Sequence, residues 1–573
     1  MREEGVKSVL VNPNVATIQT SLRIADRVYL EPLTVKTVSD IIKMERPDGI
    51  FLGFGGQSGL NLGVQLFKEG ILDKYGVKVL GSPIKTIEVT EDRDLFKRAM
   101  LDAGVPVPPS GPAYSVAESL EVASEIGYPV IVRVAYTLGG GGSGVAYGED
   151  ELRGIVSRAL PQSIGKQVLV EKYLRHWKEI EYEVMRDGQD NCITVAALEN
   201  FDPLGIHTGD SIVVAPTQTL TNREYHMLRE AAIKVVRSVG VVGECNIQFG
   251  LDPFSESYVA VEVNARLSRS SALASKATGY PLAYVSAKLA LGYSLPELVN
   301  KVTGVTTSFF EPSLDYVVVK IPRWDFQKFG GTVDRHLGPQ MKSVGEVMSI
   351  ARSFEEAFQK AARMLEIGLN GIVCNNVDLP LEQVLKEIEE PTDRRFYLIP
   401  VALSRGITVD RIYEMTGIDK WFLHKVKRLV EFESKLRSSS VDDPAFPSLL
   451  KEAKALGFSD KQVGICLGLP EDKVRRLRKG FGIVPATKIV DTMAAEWESK
   501  TNYCYTSYGD SESEVAAEPN ARKVAVLGAG CIRIGSSVEF DYCTMQTAWA
   551  LKEEGIDQVV VINNNPETVS TDF

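Results

Sequence analysis

Polar side chains alternate along the segment Val259–Arg266, in the order Glu262, Asn264 and Arg266. Because alternate residues of a strand point to the same side, these three side chains are predicted to share one face, with small apolar residues behind them. Gln248 comes shortly before and is predicted on the neighbouring strand. Carboxylate and amide oxygens are ligands that Mg²⁺ takes while keeping room for phosphates. Gln248, Glu262 and Asn264 therefore indicate a magnesium site, and a solvated strand face is the alternative interpretation.

A run of glycines follows the apolar segment Val130–Arg133. Gly139, Gly141 and Gly144 fit the spacing G-x-G-x-x-G, but Val145 begins a strand-like segment rather than a helix, which excludes a dinucleotide fingerprint. No Lys-Ser or Lys-Thr pair follows, so a P-loop is excluded too. What remains is a loop between two strands whose peptide N–H groups can approach phosphate oxygens, because no side chains intervene. A mobile surface hairpin is the alternative.

Further side chains that could bind a phosphorylated ligand surround these two segments. Glu179 opens a strand and is placed to accept hydrogen bonds from sugar hydroxyls, and His207 lies in a turn, where a structural role is the alternative. Guanidinium groups can bind phosphate or bicarbonate oxygens through two parallel hydrogen bonds. Four arginines are candidates for this role, although an arginine taken at random is usually a surface charge: Arg93, Arg133, Arg266 and Arg269.

The composition of the 573-residue chain limits the classes of protein to which it can belong. A hydrophobic content of 44% and a charged content of 24% are those of an ordinary globular protein, long enough for about three or four structural units. No apolar run reaches the ~18–20 residues that a bilayer needs, so we expect no membrane partner. The net charge of −11 argues against a chain that coats nucleic acid.

Zinc binding and DNA binding are two further functions that the sequence disfavours. The 7 cysteines are scattered and none is paired as C-x-x-C, which indicates free thiols and argues against zinc chemistry. The basic stretch Lys473–Lys479 follows a capped helix and a turn, and it imitates a DNA-binding helix-turn-helix. The acidic net charge and the small size of this basic patch disfavour such a function. We therefore expect no nucleic-acid partner.

The two ends of the chain resemble each other, and this repeat decides the domain organisation. Residues 3–20 and 553–571 match position by position with one inserted residue. The second copy is preceded by the apolar strand Val524–Leu527 and a glycine-rich turn, whereas the first copy begins inside the equivalent helix. We interpret the chain as a piece of a longer tandem protein, in which residues 1–92 form a doubly wound α/β unit without its first strand.

The stretches between the two ends differ in their periodicity. Residues 93–366 mix strands and helices and hold nearly all the candidate site residues. From 367 to about 500 the pattern turns helical, and the spacing of apolar residues from Phe422 to Leu436 predicts a buried helix face. A polar linker extends this part to residue 521. The α/β pattern then restarts and occupies residues 522–573.

The order of these motifs resembles the large chain of carbamoyl-phosphate synthase, and more narrowly the first of that chain's two ATP-grasp halves. The resemblance covers essentially all 573 residues. It is carried by this series of motifs: Glu-Asp-Arg93, Val-Arg133, Gly139-Gly140, Trp-Lys-Glu179, Gly-Ile-His207, Asn-Ile-Gln248, Glu262-Val-Asn264 and the segment Arg266–Gly279.

The resemblance implies a multidomain fold of the α/β and α+β classes. Residues 1–92 would form a truncated, doubly wound pre-ATP-grasp domain, and residues 93–366 the ATP-grasp domain that makes carboxyphosphate. Residues 367–521 would form an all-helical oligomerisation domain with its linker, and residues 522–573 the start of a second pre-ATP-grasp domain.

The resemblance also implies roles for individual residues. The family's divalent-metal positions coincide with the three residues of the magnesium site predicted above. Glu262, Asn264, Arg266 and Arg269 fall on positions expected in catalysis. Lys172 stands where bacterial members have a glutamate, but the family's contact there involves the backbone, so adenine binding is expected to survive. The positions expected to contact ATP are Arg93, Arg133, Gly139, Gly140, Leu174, Glu179, Gly205, Ile206, His207, Gln248 and Glu262.

The implied activity is the ATP-dependent phosphorylation of bicarbonate to carboxyphosphate, which then reacts with ammonia to give carbamate. Phosphoryl transfer depends mainly on positioning and charge neutralisation, so arginines, glycine N–H groups and a divalent cation are the required parts. The implied cofactors are ATP and Mg²⁺ or Mn²⁺, and the family also allows K⁺. The expected partners are a glutaminase subunit or domain that supplies ammonia, the second synthetase half, and further copies of the chain in an oligomer.

The implied pathways are arginine and pyrimidine formation. We expect a cytoplasmic location, or a mitochondrial one if a leader precedes Met1 in a fuller chain. One alternative is a truncated, inactive chain that acts only as an oligomerising partner, because a missing strand would expose a sheet edge. Another is a different ATP-grasp carboxylase, which the helical stretch after residue 367 and the restarting α/β unit at 522 disfavour.

Overall fold

The computed structural model describes the chain at residues 1–134, 138–163, 166–510, 512–516 and 518–572. Strands and helices alternate over the first part of the chain, helices dominate after it, and a strand–helix–strand unit follows near the end. Within the described residues, no helix combines the length and the apolar character that crossing a bilayer requires.

The first part of the chain folds into short strands separated by helices. Its elements are β1 (Val9–Val11), β2 (Arg27–Tyr29), α1 (Val35–Glu45), β3 (Gly49–Phe51), α2 (Gly56–Lys68), α3 (Ile71–Tyr75), β4 (Lys78–Leu80) and α4 (Ile84–Glu91). The strands form two parallel pairs, β1 with β2 and β3 with β4. Val38, Ile42 and Leu66 of the helices are buried in one apolar cluster that the strands also contact, which is the layered packing of α/β units.

A small antiparallel sheet with two covering helices comes next. Its elements are α5 (Arg93–Asp102), β5 (Ser110–Ala113), α6 (Val116–Ile126), β6 (Val130–Val134), β7 (Gly144–Ala146), α7 (Glu149–Ala159) and β8 (Val168–Lys172). The strand order is β5-β8-β6-β7. Val130, Val132 and Val170 pack in one cluster with Leu152 of α7. Because side chains alternate along a strand, Arg133 is left on the opposite, uncovered face.

A seven-stranded sheet forms the centre of the molecule, and its neighbouring strands are antiparallel. Its elements and the helices that follow them are β9 (Lys178–Arg186), β10 (Cys192–Asn200), β11 (Val213–Ala215), α8 (Asn222–Val239), β12 (Gly243–Leu251), β13 (Tyr258–Asn264), α9 (Arg269–Thr278), α10 (Leu282–Ala290), β14 (Val317–Arg323), β15 (Gly345–Ala351) and α11 (Phe354–Met364). The strand order is β13-β12-β9-β10-β11-β14-β15.

The two faces of this sheet carry different side chains. Tyr182 and Phe249 are buried in an apolar cluster with α8, whereas Glu181 and Gln248, which alternate with them, belong to the opposite face. On that face Ser270, in the first turn of α9, donates a hydrogen bond to Glu181 over 3.1 Å. The sheet therefore collects its polar side chains on the side where α9 begins.

A bundle of helices packs against the outer end of this sheet. It comprises α12 (Leu381–Glu389), α13 (Arg395–Ser404), α14 (Val409–Thr416), α15 (Lys420–Arg437), α16 (Phe446–Ala455), α17 (Asp460–Leu467) and α18 (Glu471–Gly480). The predicted buried face of α15 is confirmed, because its apolar side chains from Phe422 to Leu436 lie in the bundle core. The rings of Phe422 and Phe354 stand 5.2 Å apart, which joins α15 to α11 and through it to the sheet.

The prediction of helix up to about residue 500 is wrong in its last part. There β16 (Ala486–Ile489) pairs antiparallel with β17 (Cys504–Ser507). Val490 and Tyr505 join the apolar cluster of α9 and α10, so the hairpin is held by burial against these two helices. Such short strands, far apart in sequence, carry no strong periodicity of their own.

The described chain closes with β18 (Lys523–Leu527), α19 (Val538–Glu553) and β19 (Gln558–Ile562). β18 and β19 pair in parallel, as expected for an α/β repeat. The two copies of the repeat lie side by side, since Arg23 forms an ion pair with Glu553 at 2.7 Å and Gln546 donates a hydrogen bond to Ser21 over 2.9 Å.

Candidate active site

A cavity of about 240 Å³ lies between the small sheet, the polar face of the seven-stranded sheet and the beginning of α9. It brings together side chains from widely separated parts of the sequence. The predicted site residues that line it are Arg93, Arg133, Gly139, Gly140, Glu179, Gly205, Ile206, His207, Gln248, Glu262, Asn264, Arg266 and Arg269.

Leu174 is the predicted ATP-contacting residue that does not line this cavity. It packs one layer behind, in a cluster with Leu204 and Val261, which do line it. Lys172 also stays outside the lining, because its ammonium group donates hydrogen bonds to the carbonyls of Gly127 and Tyr128 over 2.9 and 3.1 Å. Its charge is therefore taken up by backbone oxygens.

The predicted metal ligands lie on neighbouring strands of one sheet. Gln248 of β12 stands directly opposite Glu262 of β13, and Asn246 stands opposite Asn264. These side chains share one face, so three oxygen donors converge without any long-range adjustment. The amide of Asn246 donates hydrogen bonds to Glu181 and Glu183 over 3.0 and 2.9 Å, a network of buried groups that supports this face from below.

Positive charge surrounds the carboxylate of Glu262. Burial alone would raise the pKa of this group, but Arg93, Arg133, His207 and Arg266 together hold it below its usual value. The guanidinium of Arg93 forms an ion pair with the carboxylate of Glu262 at 3.5 Å. Glu262 is therefore ionised at neutral pH and available to a cation.

Arg133 is held by a carboxylate of its own sheet. Its Nε donates a hydrogen bond to Glu171 over 3.1 Å, and both side chains are largely buried. Burial lowers the pKa of the Arg133 guanidinium, but the nearby carboxylates Glu171 and Glu262 more than offset this, and the pKa is raised. The guanidinium thus keeps its charge inside the cavity and retains donors beyond the one that Glu171 uses.

The glycine-rich loop faces the cavity through Gly139 and Gly140. Gly140 has φ +67°, and a Cβ there would lie 2.3 Å from the carbonyl oxygen of Pro339. No other residue fits this position without moving the facing backbone. The amide of Met341 also donates a hydrogen bond to the carbonyl of Gly139 over 2.9 Å, so the described end of the loop is tied to the segment before β15.

The Gly205–His207 turn forms another wall of the cavity. Gly205 has φ +118°, and a Cβ there would lie 2.3 Å from the hydroxyl of Tyr173, so this position also requires glycine. The ring Nδ1 of His207 accepts a hydrogen bond from the amide of Gly209 over 2.9 Å, which assigns the proton of the neutral ring to Nε2. Burial, together with Lys320 and Arg133, lowers the pKa of His207 below its usual value although Glu262 and Asp210 oppose this.

Glu179 offers an acceptor that the protein leaves unused. Its Oε2 is buried and has no hydrogen-bond partner among the described residues. Burial raises the pKa of this carboxyl well above its usual value, and the neighbouring Glu181 adds to the rise. A buried polar atom without a partner is costly, so this oxygen is suited to bind a ligand hydroxyl.

Arg266 and Arg269 frame the end of the cavity at the beginning of α9. Arg266 donates hydrogen bonds to Asn264 and Gln57 over 3.2 and 3.3 Å. Arg269 forms an ion pair with Glu567 at 2.7 Å, and its NH1 is buried without a partner among the described residues. An arginine donor and a helix N-terminus at one place favour an anionic ligand.

Several residues of the cavity were not among the predicted site residues, although Glu91 belongs to the motif Glu-Asp-Arg93. Gln57 and Glu91 come from the first α/β part, where Gln57 donates a hydrogen bond to Glu91 over 2.7 Å. Lys320 and Glu346 lie on β14 and β15 and form a buried ion pair at 3.5 Å. No glycine run or alternation of polar residues marks these positions, and only the folded sheet brings them to the site.

The fold and the site together define an ATP-grasp enzyme, a ligase class. Among solved structures, the chain is similar to the biotin carboxylase domain of the 2-oxoglutarate carboxylase of Hydrogenobacter thermophilus, described as a complex with MgADP, ADP and bicarbonate. The TM-score is 0.50 with 18% identity, and the match covers 74% of this chain and 94% of that one. At this identity the likeness shows the fold alone.

The chain belongs to the carbamoyl-phosphate synthase large-chain family. The model of that family's ATP-binding domain matches residues 92–298, and the model of its oligomerisation domain matches residues 346–482. The model of its preATP-grasp domain matches residues 1–89 and 520–573. The family, the multidomain fold class and the ligase class predicted from the motifs are therefore confirmed.

Relatives of the chain come from bacteria and eukaryotes. The arginine-specific, mitochondrial large chain of Neurospora crassa is 54% identical over all of this chain and 48% of its own length. The large chain of Thermoanaerobacter pseudethanolicus is 54% identical over all of this chain and 53% of its own length. The multifunctional protein CAD of Squalus acanthias is 53% identical, over 25% of its own length. The chain thus spans about half the length of the curated large chains it matches.

Proposed function

We propose that this chain catalyses the ATP-dependent conversion of bicarbonate to carboxyphosphate and the reaction of that intermediate with ammonia to give carbamate. The observation that supports this most is the convergence of three kinds of group in one cavity. These are the oxygen ligands of β12 and β13, the guanidinium groups of Arg133 and Arg269, and the bare peptide groups of Gly139 and Gly140.

Gln248, Glu262 and Asn264 would hold Mg²⁺ or Mn²⁺. Their shared strand face and the ionised Glu262 are the donor chemistry that a hard divalent cation takes. When bound, the cation neutralises phosphate charge during transfer. Asn200 Oδ1 is buried without a hydrogen-bond partner among the described residues, and such an oxygen also suits the K⁺ that the family allows.

In the first step an oxygen of bicarbonate attacks the γ-phosphorus of ATP, and the bond from that phosphorus to the bridging oxygen of ADP breaks. The protein positions the transferred phosphoryl group and forms no covalent bond to it, because phosphoryl transfer depends on alignment and charge stabilisation. Arg133 neutralises negative charge on one side, and Gly139 and Gly140 admit phosphate oxygens close to the backbone. Glu179 would accept a hydrogen bond from a ribose hydroxyl.

In the second step the nitrogen of ammonia attacks the carboxyl carbon of carboxyphosphate. The bond from that carbon to the phosphate-bridging oxygen breaks, phosphate leaves, and a proton lost from nitrogen gives carbamate. Arg266 and Arg269, which both line the cavity, would stabilise the charge on the leaving phosphate. Because water would hydrolyse carboxyphosphate, the position of the cavity between two sheets would help by limiting the access of water to the intermediate.

The wider organisation is also part of this proposal. We assign the pre-ATP-grasp role to residues 1–92, carboxyphosphate synthesis to 93–366, oligomerisation to 367–521 and the start of a second half to 522–573. The partners would be further copies of the chain, a glutaminase that supplies ammonia, and a second synthetase half. The product would serve arginine or pyrimidine formation, in the cytoplasm or in mitochondria.

Bicarbonate-stimulated ATP hydrolysis tests the proposal. The parent chain should release ADP faster when bicarbonate is added, and Glu262→Gln should lose at least about 100-fold of that rate because it removes a cation ligand. Glu256→Gln is the matched control, since Glu256 lies in the turn of the same hairpin and pairs with the exposed Arg223. A folded parent without stimulation, with Glu262→Gln behaving like it, would favour the inactive oligomerising alternative.

A further inference from the structure

The helical part of the chain places two cysteines beside each other. The sulfur atoms of Cys374 and Cys466 are 3.6 Å apart, and both side chains are buried. The carboxylate of Glu433 lies next to them, and one ligand atom from each of the three residues falls within 4.8 Å of the others. The linear spacing of the cysteines predicts isolated thiols, but folding joins the loop after α11 to α15 and α17 at this point.

We infer that Cys374, Cys466 and Glu433 form a binding site for a thiophilic divalent cation such as Zn²⁺. The site lies in the helix bundle, shares no residue with the ATP cavity and stands independently of the proposed reaction. Two thiolates and a carboxylate are ligands that Zn²⁺ takes in proteins. A fourth position is left for water or a further ligand.

The separation of the two sulfur atoms matches that of metal ligands. Two thiolates about 2.3 Å from a tetrahedral Zn²⁺ stand about 3.8 Å apart. The observed distance is 3.6 Å, so binding requires almost no movement. A disulfide would require the same atoms to approach to about 2.0 Å.

The carboxylate of Glu433 is already held in place by other groups. The amide of Cys374 donates a hydrogen bond to Oε2 over 3.1 Å. Arg437 donates two hydrogen bonds to Oε1, over 3.0 Å from Nε and 2.6 Å from NH2. Carboxylates that bind metals in proteins are generally oriented by such hydrogen bonds from neighbouring groups. The carboxylate of Glu433 is therefore already oriented as a metal ligand would be.

The loop that carries Cys374 is fixed by its own side chains. Asn370 donates a hydrogen bond to the carbonyl of Cys374 over 2.9 Å, and Asn375 donates one to the carbonyl of Gly371 over 2.8 Å. Gln462 of α17 donates another to the carbonyl of Val373 over 3.1 Å, so the loop and the helix that bears the second thiol are joined. Cys374 itself has φ +63°. This conformation is uncommon for residues other than glycine, so the contacts around Cys374 must stabilise it. Rigid support of this kind is what a preorganised site needs.

Titration of the full-length, reduced chain with Cd²⁺ tests the inference, because cadmium replaces zinc at thiolate sites and its thiolate bonds absorb in the ultraviolet. One equivalent should bind tightly, and a competing chelator should report the same stoichiometry for Zn²⁺. Cys466→Ala should remove this binding. Glu433→Gln, which keeps the shape of the side chain, should weaken it by about 10-fold or more. Cys504→Ala is the matched control, since Cys504 is an exposed thiol away from the cluster, and it should bind as the parent does.

Bound metal should also raise the thermal midpoint of the parent and of Cys504→Ala, because a ligand that binds the folded state stabilises it. Cys466→Ala should show no such rise, with its far-ultraviolet dichroism confirming that it is folded. Three results would overturn the inference. The first is that the reduced parent binds no equivalent of metal tightly, and the second is that tight binding survives Cys466→Ala. The third is that the chain binds no metal and its mass falls by two units, because Cys374 and Cys466 oxidise to a disulfide.

Discussion

The charge balance of the cavity depends on a few residues from different sheets. Arg133 extends from the uncovered face of the small sheet, and Glu262 from the polar face of the large one. Each changes the electrostatics of the other, since Arg133 helps to lower the pKa of Glu262 and Glu262 helps to raise that of Arg133. A ligand that carries both phosphate and metal charge matches this mixed surface.

Arg133→Ala is expected to reduce the bicarbonate-dependent rate of ATP hydrolysis by about 10²–10³-fold, the usual loss when a preorganised donor to a charged transition state is removed. Arg133→Lys keeps the charge but not the fork of donors, so we expect it to retain the fold and lose at least about 10-fold. Steady-state kinetics measures these rates. Arg153→Ala is the control, because Arg153 is an exposed arginine of α7. Unchanged rates in both Arg133 variants would remove this arginine from the reaction.

At the residue scale, the motifs predicted 13 residues that line the cavity, but not those contributed by β14 and β15. Alternation on a strand, a run of glycines and arginines near them are local signals, and the structure brings these residues together. Lys320, Glu346 and Glu567 have no local signal, because they meet the others only through strand pairing and the return of the chain. The ATP, metal and catalytic roles of the individual residues stay predictions for the experiments above.

At the scale of elements, the sequence pattern was most informative where a single burial face repeats. The amphipathic spacing predicted α15, whereas β16 and β17 were missed because each is stabilised by contacts made elsewhere in the chain. The structure adds to the reasons against a DNA-binding helix-turn-helix, which the acidic net charge already disfavours. The guanidinium of Arg478 is buried and bonded to Asp460, so one member of the basic stretch serves the packing of α17 on α18.

The aromatic contact between α15 and α11 is expected to hold the helix bundle to the sheet. Phe422→Ala should lower the free energy of unfolding by about 3–5 kcal/mol, because a fully buried ring is replaced by a cavity. Phe254→Ala is the matched control, since Phe254 is 83% exposed and should change the value by less than about 0.5 kcal/mol. Urea unfolding followed by circular dichroism measures both. Equal, small effects would mean that the bundle does not depend on this contact.

At the scale of the whole molecule, the second copy of the repeat reaches back to the active site. Glu567 of that copy pairs with Arg269 at the cavity, although almost 300 residues separate the two in sequence. Burial raises the pKa of Glu567 to about 7, and Glu346 adds to the rise while Arg269 and Lys320 oppose it. The docking of the repeat and the charge of the cavity are therefore linked.

This link predicts a dependence of stability on pH. Between about pH 4.5 and 7 the folded state binds more protons at Glu567 than the unfolded state does, so the free energy of unfolding should fall as pH rises through this window. Glu567→Gln should remove part of that fall, on the order of 1–3 kcal/mol at about 1.4 kcal/mol per pKa unit. Hydrogen exchange in α19 at pH 5 and pH 8 measures the effect.

Glu554→Gln is the control, because Glu554 is an exposed glutamate of the same repeat, and this variant should behave as the parent does. An equal pH dependence in parent and Glu567→Gln would contradict the link.

The central claim is that a bicarbonate oxygen takes the phosphoryl group from ATP within this cavity. Bicarbonate labelled with ¹⁸O tests it directly, because the attacking oxygen stays with phosphorus when ammonia displaces phosphate from carboxyphosphate. Turnover by the parent chain with ammonia present should place one labelled oxygen in each phosphate released in the bicarbonate-dependent reaction, as read by mass spectrometry. Unlabelled phosphate, in which water supplies the one oxygen that does not come from ATP, would contradict the account, since ATP would then be hydrolysed without forming carboxyphosphate.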